Sequence, residues 1–441
     1  MSINSEIEAD VDDAKGYLAH LLPYAAVVIR WLAISVAVGV PCGLLGTAFH
    51  MGVHYATEFR EMHPGVLFAL PFAGVACVAI YRAFESEGLS TDSAIEQVRD
   101  GEGLRLKLLP AIFLSTIVTH LAGGSAGREG AALQMGGTIG LGVGRAFKLD
   151  EPDTSTATLA GMAAFFSALF GTPVGATIFA MAVINVGTLY HVAYLPCFVA
   201  SIAAFGISLF FGVSPTRFVV VAPTLDPFMV VRVGLLAWFC AMLSVLFCEV
   251  LHRVEHAARV YVPNPWVRAV AGGVLLLALS FAVGTGDYNG AGMDVIVRAV
   301  EGGRAEPLAF VLKTLFTVVT LSSGFKGGEV VPCFFIGATF GCVVGPMLGI
   351  PAGFAAAVGL ISVFCAGVNC PIASMVLAVE MFGAEGIVFY ALACGLAFAL
   401  SGYSGLYSSQ RIVFDKLKPV RIDVHANAYH EGGFEPHHRS E

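Results

Sequence analysis

The sequence predicts an all-α polytopic membrane protein whose spanning region consists of two similar halves of tilted and broken helices. Three observations support this fold class. The 441-residue chain is 57% hydrophobic and only 13% charged, whereas a soluble domain has about 25% charged residues. Its apolar stretches are continuous rather than alternating, which favours helices over a transmembrane β-barrel. Two segments of the first half also recur, in the same order, in the second half.

The polarity of the chain divides it into three parts. Residues 1–24 are acidic and lack the basic start of a signal peptide, so we expect a short surface helix there. We expect a transmembrane domain over 25–411, with repeat halves at about 25–213 and 228–411. Basic residues directly after the last span predict that the polar end, 412–441, is a short cytoplasmic tail.

The apolar stretches differ widely in length. A spanning helix needs about 20 apolar residues, and several stretches are shorter or contain Gly or Pro. Partly inserted helices around a shielded site are therefore expected. The polar segment 85–107 is expected to begin a half-helix at the membrane surface. The candidate stretches are 25–50, 65–84, 108–123, 155–170, 174–188, 192–213, 228–252, 267–284, 306–321, 333–349, 353–368, 371–383 and 386–402.

Two pairs of segments form an internal repeat. GGSAGREGAALQMGGTIGLGVG at 123–144 resembles GFKGGEVVPCFFIGATFGCVVG at 324–345, and FSALFGTPVGATIFAMAV at 166–183 resembles FCAGVNCPIASMVLAVEM at 364–381. In the first pair we match Glu129 with the acid of GGEVVP, followed by a one-residue insertion. Repeats with broken helices are typical of secondary transporters, whose site lies at the repeat interface.

Each segment of the first pair is a Gly-rich turn, then an acid, then a helix-compatible run. Glycine allows a turn to present backbone N–H groups, and a helix N-terminus adds partial positive charge, so that such turns bind anions. Two facing turns would therefore form an anion site in the membrane without a fixed cation. Release of the anion favours such an arrangement, because conduction requires weak binding.

Glu129 is an acid at a turn that would otherwise attract anions. Its ionised carboxylate would occupy the anion site and its protonation would vacate it, which couples anion and proton movement. The alternative is an acid that only stabilises a helix N-terminus, but an ionisable residue inside a membrane segment is a functional candidate. Glu329 could share the proton or be a surface acid beside Lys326. We assign Glu380 a structural hydrogen-bonding role.

Hydroxyl groups lie near both predicted turns. Tyr407 follows the last span, and its phenol can donate to an anion without carrying charge. Tyr403 could do this instead, and either could be a tyrosine at the membrane interface. In the first half, Ser90 precedes a predicted helix, where it can cap the helix and also contact an anion.

The first Gly-rich segment resembles a motif of the CLC family of chloride channels and proton-coupled halide antiporters. The resemblance extends over roughly residues 30–411. GREGA is similar to the family's GREGP, with Ala131 in place of proline. This match implies that Glu129 is the gate, and that the backbone around it, with Arg128 and Gly130, binds an anion.

Three further segments carry the resemblance. GGEVVP is similar to the family's second anion-binding loop, which implies that Glu329 and Val330 bind the central anion. GLYSS is similar to the family's segment around an anion-contacting tyrosine, which implies this role for Tyr407. The first-half motif GSGIP is absent, and alignment of AIEQ with the family's EIEG implies that Ser90 is the anion-binding serine.

The resemblance implies two inverted halves, a homodimer in the cell (inner) membrane with one pore per subunit, and both termini in the cytoplasm. The implied partners are chloride or fluoride, protons and the lipid bilayer. The acid at Glu329 resembles a feature of the fluoride-exporting bacterial branch of the family. That branch commonly has other residues at the positions of Ser90 and Val331. We predict proton-coupled transport. A passive channel is the alternative, because no acid stands near Ala182 or Val183, where typical antiporters carry an internal glutamate.

Other classes of function have little support in the sequence. The net charge of −8 offers no basic surface for nucleic acid, and no CxxC indicates a structural metal site. We predict no cofactor, no metal and no enzymatic activity. The remote alternative is a zinc protease, because HRVEH, with His252, Glu255 and His256, matches a short zinc-binding pattern.

Overall fold

The computed structural model describes residues 3–427, with side chains from residue 23 onward. This part of the chain is predominantly helical and contains several apolar helices that could span a membrane. The predicted all-α polytopic fold is therefore confirmed. One small sheet near the C-terminal end is an addition that the apolar pattern did not indicate.

The first half contains eight α-helices. Two short 3-10 helices, Pro64–Ala69 and His191–Ala193, precede α2 and α8. The α-helices are α1 (Ile3–Met62), α2 (Leu70–Ala83), α3 (Thr91–Asp100), α4 (Leu108–Ala122), α5 (Glu129–Ala146), α6 (Glu151–Phe170), α7 (Pro173–Ala182) and α8 (Tyr194–Phe210).

The second half repeats this order with eight more α-helices. Two 3-10 helices, Gly345–Leu348 and Ala384–Gly386, follow α13 and α15. The α-helices are α9 (Pro227–Tyr261), α10 (Pro265–Val283), α11 (Met293–Val300), α12 (Ala309–Ser322), α13 (Val330–Val344), α14 (Ala352–Val368), α15 (Pro371–Phe382) and α16 (Ile387–Leu400).

The packing partners also repeat. Helix α5 packs on α6 as α13 packs on α14, and α1 contacts α6 and α8 as α9 contacts α14 and α16. The matched glycines explain this packing: a Cβ on Gly136 would overlap the carbonyl of Gly161, and a Cβ on Gly337 would overlap the carbonyl of Gly359. Small residues allow such close approach of helices in membranes.

The two halves meet through equivalent elements. Helix α2 contacts α10, α7 contacts α15, and α5 contacts α13. Residues Gly127 and Gly328, just before α5 and α13, pair in antiparallel register. The half-chains therefore run in opposite directions through their contact, as expected for inverted-topology repeats.

The lengths of the helices agree with the prediction of partly inserted segments. Within residues 3–427, six helical stretches are long and apolar enough to cross a membrane, whereas helices such as α4, α7, α12 and α15 are shorter. Helices α6 and α14 lie at the centre, and every residue of Ala157–Phe170 and Phe354–Val368 is buried. These two helices are therefore enclosed by protein.

Both ends of the described part of the chain contain regular secondary structure. Helix α1 runs from Ile3 without a break into the first span, so the helix expected over 1–24 is continuous with it. After α16, β2 (Arg411–Phe414) pairs in parallel with β1 (Asn185–Val186) and antiparallel with β3 (Arg421–His425). The rest of the predicted tail, 428–441, lies outside the described residues, as do its histidines.

Candidate functional site: an anion pathway between two cavities

The two repeated turns are joined by a pair of backbone hydrogen bonds, which we call the glycine seam. The Gly127 N–H donates to the Gly328 carbonyl at 2.7 Å, and the Gly328 N–H donates to the Gly127 carbonyl at 2.8 Å. A Cβ on Gly328 would overlap the backbone nitrogen of Gly130. Only glycine therefore permits this approach, which brings the N-termini of α5 and α13 together.

Two threonines hold the seam from the preceding helices. The Ser125 N–H donates to Thr320 Oγ1 at 2.9 Å, and the Lys326 N–H donates to Thr119 Oγ1 at 3.2 Å. Each half thus supplies a hydroxyl to the turn of the other half. Because buried backbone donors need a partner, these reciprocal bonds fix both turns in one geometry.

The seam corrects the alignment of the two acids. Its two glycines are 201 positions apart, and the pairs joined by the threonine bonds show the same separation between halves. With this offset Glu129 matches Val330, and Glu329 matches Arg128. The predicted match of Glu129 with Glu329, with an insertion after it, is therefore wrong by one residue. Glu129 begins α5, whereas Glu329 is the residue before α13.

Glu129 lies where the two helix N-termini converge. Its side chain is 1% exposed, and its Oε2 accepts a hydrogen bond from the Arg128 N–H at 2.8 Å. The backbone amides of Glu129 itself and of Val331 also face the carboxylate, and Arg128 Nε lies 3.6 Å from Oε1. The carboxylate thus occupies a position where backbone amides and helix dipoles favour negative charge.

Arg128 connects this carboxylate to a histidine that the sequence analysis did not identify. Its Nη1 lies 3.0 Å from His50 Nδ1, so the guanidinium donates and the imidazole nitrogen accepts. His50 lies within the first apolar stretch. An ionisable residue at that depth is a signal that could have identified it.

Glu329 reaches toward the first half from the opposite turn. A Cβ placed on Gly130 would lie 3.1 Å from Glu329 Oε2 and 3.1 Å from Thr91 Oγ1. These two oxygens therefore approach the first turn of α5 at the point where glycine leaves space. Glu329 Oε2 is buried and has no hydrogen-bond partner among the described residues, so it is available for a proton or a water.

Two cavities approach the seam. The α1 cavity, of about 750 Å³, is lined by the end of α1, the start of α5 and the start of α11, and includes Arg128 and Glu129. The α9 cavity, of about 410 Å³, is lined by the end of α9, the start of α3 and the residues after α16, and includes Ser90, Glu329 and Tyr407.

The walls of the two cavities are related by the repeat. The end of α1 corresponds to the end of α9, and the start of α11 corresponds to the start of α3. Because inverted repeats exchange the two membrane faces, we expect the cavities to open in opposite directions. Two of the predicted site residues, Gly130 and Val330, are buried and line neither cavity.

The hydroxyl groups differ in their availability. Ser90 caps α3, accepting from the Asp92 N–H at 3.2 Å, and also lines the α9 cavity. The Tyr407 hydroxyl is buried and has no hydrogen-bond partner among the described residues. The Tyr403 hydroxyl donates to Asp415 at 2.5 Å. Tyr407, rather than Tyr403, therefore faces the cavity.

Tyr403 has a structural role outside the membrane-spanning helices. Its hydroxyl, together with the backbone amides of Leu417 and Lys418, donates to the Asp415 carboxylate. These hydrogen bonds lower the pKa of Asp415, because they stabilise the ionised form. The contacts fix the turn between β2 and β3.

The sequence analysis did not identify two buried basic residues, Arg60, which lines the α1 cavity, and Lys313, which contacts the loop that forms part of its wall. Arg60 is 7% exposed and donates to the His120 carbonyl at 3.2 Å. Lys313 is fully buried and its Nζ donates to the Gly290 carbonyl at 2.7 Å. With Arg128, these groups favour negative charge near the seam. Lys313 lies within a predicted apolar stretch, and its isolation there was the available signal.

Two other predicted positions have clear surroundings. Glu380 accepts from the amides of Val174 at 3.1 Å and Gly175 at 2.7 Å, so it stabilises the N-terminus of α7 across the repeat interface. This contact confirms its hydrogen-bonding role. Of the HRVEH residues, His252, Glu255 and His256 line the α9 cavity. Among the described residues, no three His, Cys, Asp or Glu side chains are arranged to hold a metal ion.

The fold and site define a class: a polytopic membrane transport protein with two inverted repeats that meet at paired glycine turns. The sequence pattern described as "Voltage gated chloride channel" matches residues 72–402. The chain is 34% identical over 406 residues to a chloride/fluoride channel protein of Pseudomonas syringae pv. tomato, covering 90% of this chain and 89% of that protein. The protein therefore belongs to the voltage-gated chloride channel family.

More distant relatives and solved structures agree with this family. A proton/chloride exchange transporter of Vibrio vulnificus is 25% identical over 83% of this chain and 85% of its own length. The crystal structure of a CLC-type fluoride/proton antiporter superposes with a TM-score of 0.83 at 30% identity, covering 87% of this chain and 98% of that chain. A cyanobacterial chloride/proton antiporter at 19% identity, with a TM-score of 0.72 and coverage of 84% and 94%, shares the fold.

Proposed function

We propose that this protein exchanges halide ions for protons across the cell (inner) membrane, with Glu129 as the gate. The position of the Glu129 carboxylate carries the proposal. It accepts the Arg128 amide at 2.8 Å and faces the Val331 amide of the other half. Since such amides bind anions, an ionised carboxylate and a halide compete for one site. Protonation of Glu129 releases the carboxylate and lets the halide enter.

Glu329 is proposed as the second proton-carrying group. It lines the α9 cavity, whereas Glu129 lines the α1 cavity, and the two acids follow the two glycines of the seam. A proton that enters one cavity can therefore reach an acid on that side before it crosses. This arrangement links proton movement to the anion pathway at the glycine seam.

The anion contacts are proposed from the same geometry. The backbone at Gly130 and Val330 lies at the start of α5 and α13, where positive helix ends converge. Ser90 and Tyr407 supply hydroxyl groups from the α9 cavity. These groups are neutral, so they favour a halide without holding it as tightly as a fixed cation would.

Both chloride and fluoride are proposed as substrates. The relative from Pseudomonas syringae is named for both ions, and the structural neighbour at 30% identity is a fluoride/proton antiporter. The acid at Glu329 lies beside Thr91 at the cavity end, and a protonated carboxyl could donate a hydrogen bond to the small fluoride ion.

We further propose that the protein is not an enzyme and acts as a homodimer, the commonest symmetric oligomer. The domain division is proposed as 25–411 in the membrane, with 1–24 and 412–441 on the cytoplasmic side. The basic residues after α16 support this orientation. It makes the α9 cavity the cytoplasmic one. Light scattering of the purified protein in detergent tests the dimer.

Flux from proteoliposomes tests the main proposal. Wild-type protein should move protons uphill when a chloride or fluoride gradient is imposed. Glu129→Gln should abolish proton movement, because the amide cannot carry the proton, while halide flux changes in rate. If wild type moves no protons, the coupling is disproved. If Glu129→Gln leaves both fluxes unchanged, the gate assignment is disproved.

A passive channel is the second candidate, and one observation favours it. The carbonyl of Val183, near the place where typical antiporters carry an internal acid, accepts from Gln410 Nε2 at 2.9 Å. The residue before it is Ala182. A neutral amide thus occupies this region. Halide flux in wild type without any proton movement would establish the channel.

A further inference from the structure

The end of α9 places titratable groups along the cavity that leads to Glu329. Glu255, His256 and Glu329 all line the α9 cavity. Glu255 is half-buried and His256 is exposed. The two therefore stand between the solvent and the buried oxygen of Glu329, which has no hydrogen-bond partner among the described residues.

Charged groups face Glu329 from three neighbouring elements. Asp92 on α3, Glu255 on α9 and Lys326 in the turn before α13 are in electrostatic reach of it. Glu129 lies on the far side of the seam and lines the other cavity. The α9 cavity that leads to Glu329 is lined by these three groups and also by His252, His256 and Arg259.

Most of these groups are committed to other contacts. Asp92 Oδ1 accepts from the Ser409 N–H at 2.8 Å and from its hydroxyl at 2.7 Å. Lys326 Nζ lies 4.1 Å from the centre of the Tyr81 ring. His252 Nε2 lies 3.0 Å from the Gly405 carbonyl. These contacts tie the three groups to fixed parts of the fold.

The remaining pair differs in character. Glu255 forms an ion pair with Arg259 one turn further along α9, which holds its carboxylate in the wall of the α9 cavity. His256 is exposed, and a ring nitrogen of its imidazole can accept a proton. An exposed proton acceptor next to a carboxylate on the same cavity wall is suited to collect protons from dilute solution.

We propose that His256 and Glu255 form a proton-collecting pair that supplies Glu329 through the water of the α9 cavity; this rests on the proposed antiport. His256 takes one proton from solution, and the cavity water passes one proton to the Glu329 carboxylate, so charge and protons balance. At about 30 Å³ per molecule, the cavity has room for roughly a dozen waters. Neither residue needs to touch the anion.

The test uses the full-length protein in proteoliposomes at low buffer concentration. The double variant Glu255→Gln with His256→Gln should exchange halide for protons several-fold more slowly than wild type, at an unchanged ratio of halide to proton. Raising the imidazole buffer should restore the rate, because a mobile buffer can replace a collecting group but not a structural contact.

A matched control lies on the same helix. Glu249 pairs with Arg253 at the same spacing but does not line the α9 cavity, so Glu249→Gln should leave the buffer dependence unchanged. A double variant with the wild-type rate and buffer dependence overturns the proposal, and so does a slow variant that buffer does not restore. Failure of wild type to move protons would instead disprove the antiport.

Discussion

Glu129 is restrained by contacts that a small anion could reproduce. Its Oε2 accepts a backbone N–H, whereas its Oε1 has no hydrogen-bond partner among the described residues and lies 3.6 Å from Arg128 Nε. A carboxylate with one oxygen unsatisfied in a buried site is less stable than a fully bonded one. This partial satisfaction suits a gate that must leave its site in every cycle.

Tyr407 and Tyr403 provide a residue-scale test with opposite outcomes. Tyr407→Phe should weaken halide binding by about 1 kcal/mol, the net value of one hydrogen bond, and leave the thermal unfolding temperature unchanged, because its hydroxyl has no partner among the described residues. Tyr403→Phe should leave halide affinity unchanged and lower the thermal unfolding temperature, because the Tyr403 hydroxyl donates a hydrogen bond to Asp415. Calorimetric titration and thermal unfolding in detergent measure both.

The reverse pattern would show that Tyr407 supports the fold and does not bind the anion. Equal affinities for wild type and both variants would remove the tyrosine hydroxyls from the anion site. Either outcome would leave the assignment of Glu129 untouched, since the carboxylate contacts neither tyrosine in its hydrogen bonding.

Sequence reasoning placed the acids and turns at the right place but missed their register. The Gly-rich pattern showed that two turns are related, yet it cannot show which backbone groups pair. The pairing of Gly127 with Gly328 is a three-dimensional fact. The predicted match of Glu129 with Glu329 was therefore one residue out. The contact of His50 with Arg128 was also missed, because the two residues are distant in sequence.

At the scale of elements, α4 and α12 act as supports for the turns of the opposite halves. Thr119 on α4 and Thr320 on α12 each accept a backbone N–H from the turn that does not follow their own helix directly. The short length of these helices is thus connected with function. Both helices end shortly after the threonine whose hydroxyl accepts a hydrogen bond from a turn of the seam.

Removal of these hydroxyls should destabilise the seam. Thr119→Val and Thr320→Val should each lower the free energy of unfolding by about 1–3 kcal/mol, the cost of leaving a buried donor unsatisfied. Thr314→Val is a matched control, because Thr314 bonds only back to Phe310 within α12. Thermal unfolding in detergent measures the three variants and the double variant.

Additive losses in the double variant would mean that the two turns are held independently. We expect a non-additive result, since residues within one network couple. A loss in Thr314→Val equal to that in Thr320→Val would show that the effect comes from α12 itself and not from the seam.

The apolar pattern predicted the spans but not how they are shared between lipid and protein. Stretches 155–170 and 353–368 were predicted as ordinary candidate spans, yet α6 and α14 are enclosed by other helices. Periodicity does not distinguish lipid from an apolar protein interior, because both accept the same side chains. The small sheet was missed because β1 has only two residues.

At the scale of the whole molecule, two cavities related by the repeat end at one seam. This arrangement predicts that the cavities are accessible from opposite membrane faces. His54→Cys in the α1 cavity and His256→Cys in the α9 cavity should each react with a membrane-impermeant thiol reagent from one face, and from different faces. The ten native cysteines are buried, so they should give little background.

Labelling is measured in spheroplasts and inside-out vesicles, with the parent protein as control. Reaction of both positions from the same face would contradict the inverted arrangement of the cavities. Reaction of His256→Cys from the outer face alone would reverse the proposed orientation without affecting the repeat.

The glycine seam has a consequence for the biogenesis of the protein. Chains are synthesised from the N-terminus, and Gly127 must wait for Gly328 before its N–H and carbonyl are paired. During that interval the first turn, with its acid, is in the membrane without its partner. The first half therefore depends on cellular insertion factors or on water to shelter these groups. Separately expressed halves should consequently protect each other from degradation when they are produced together.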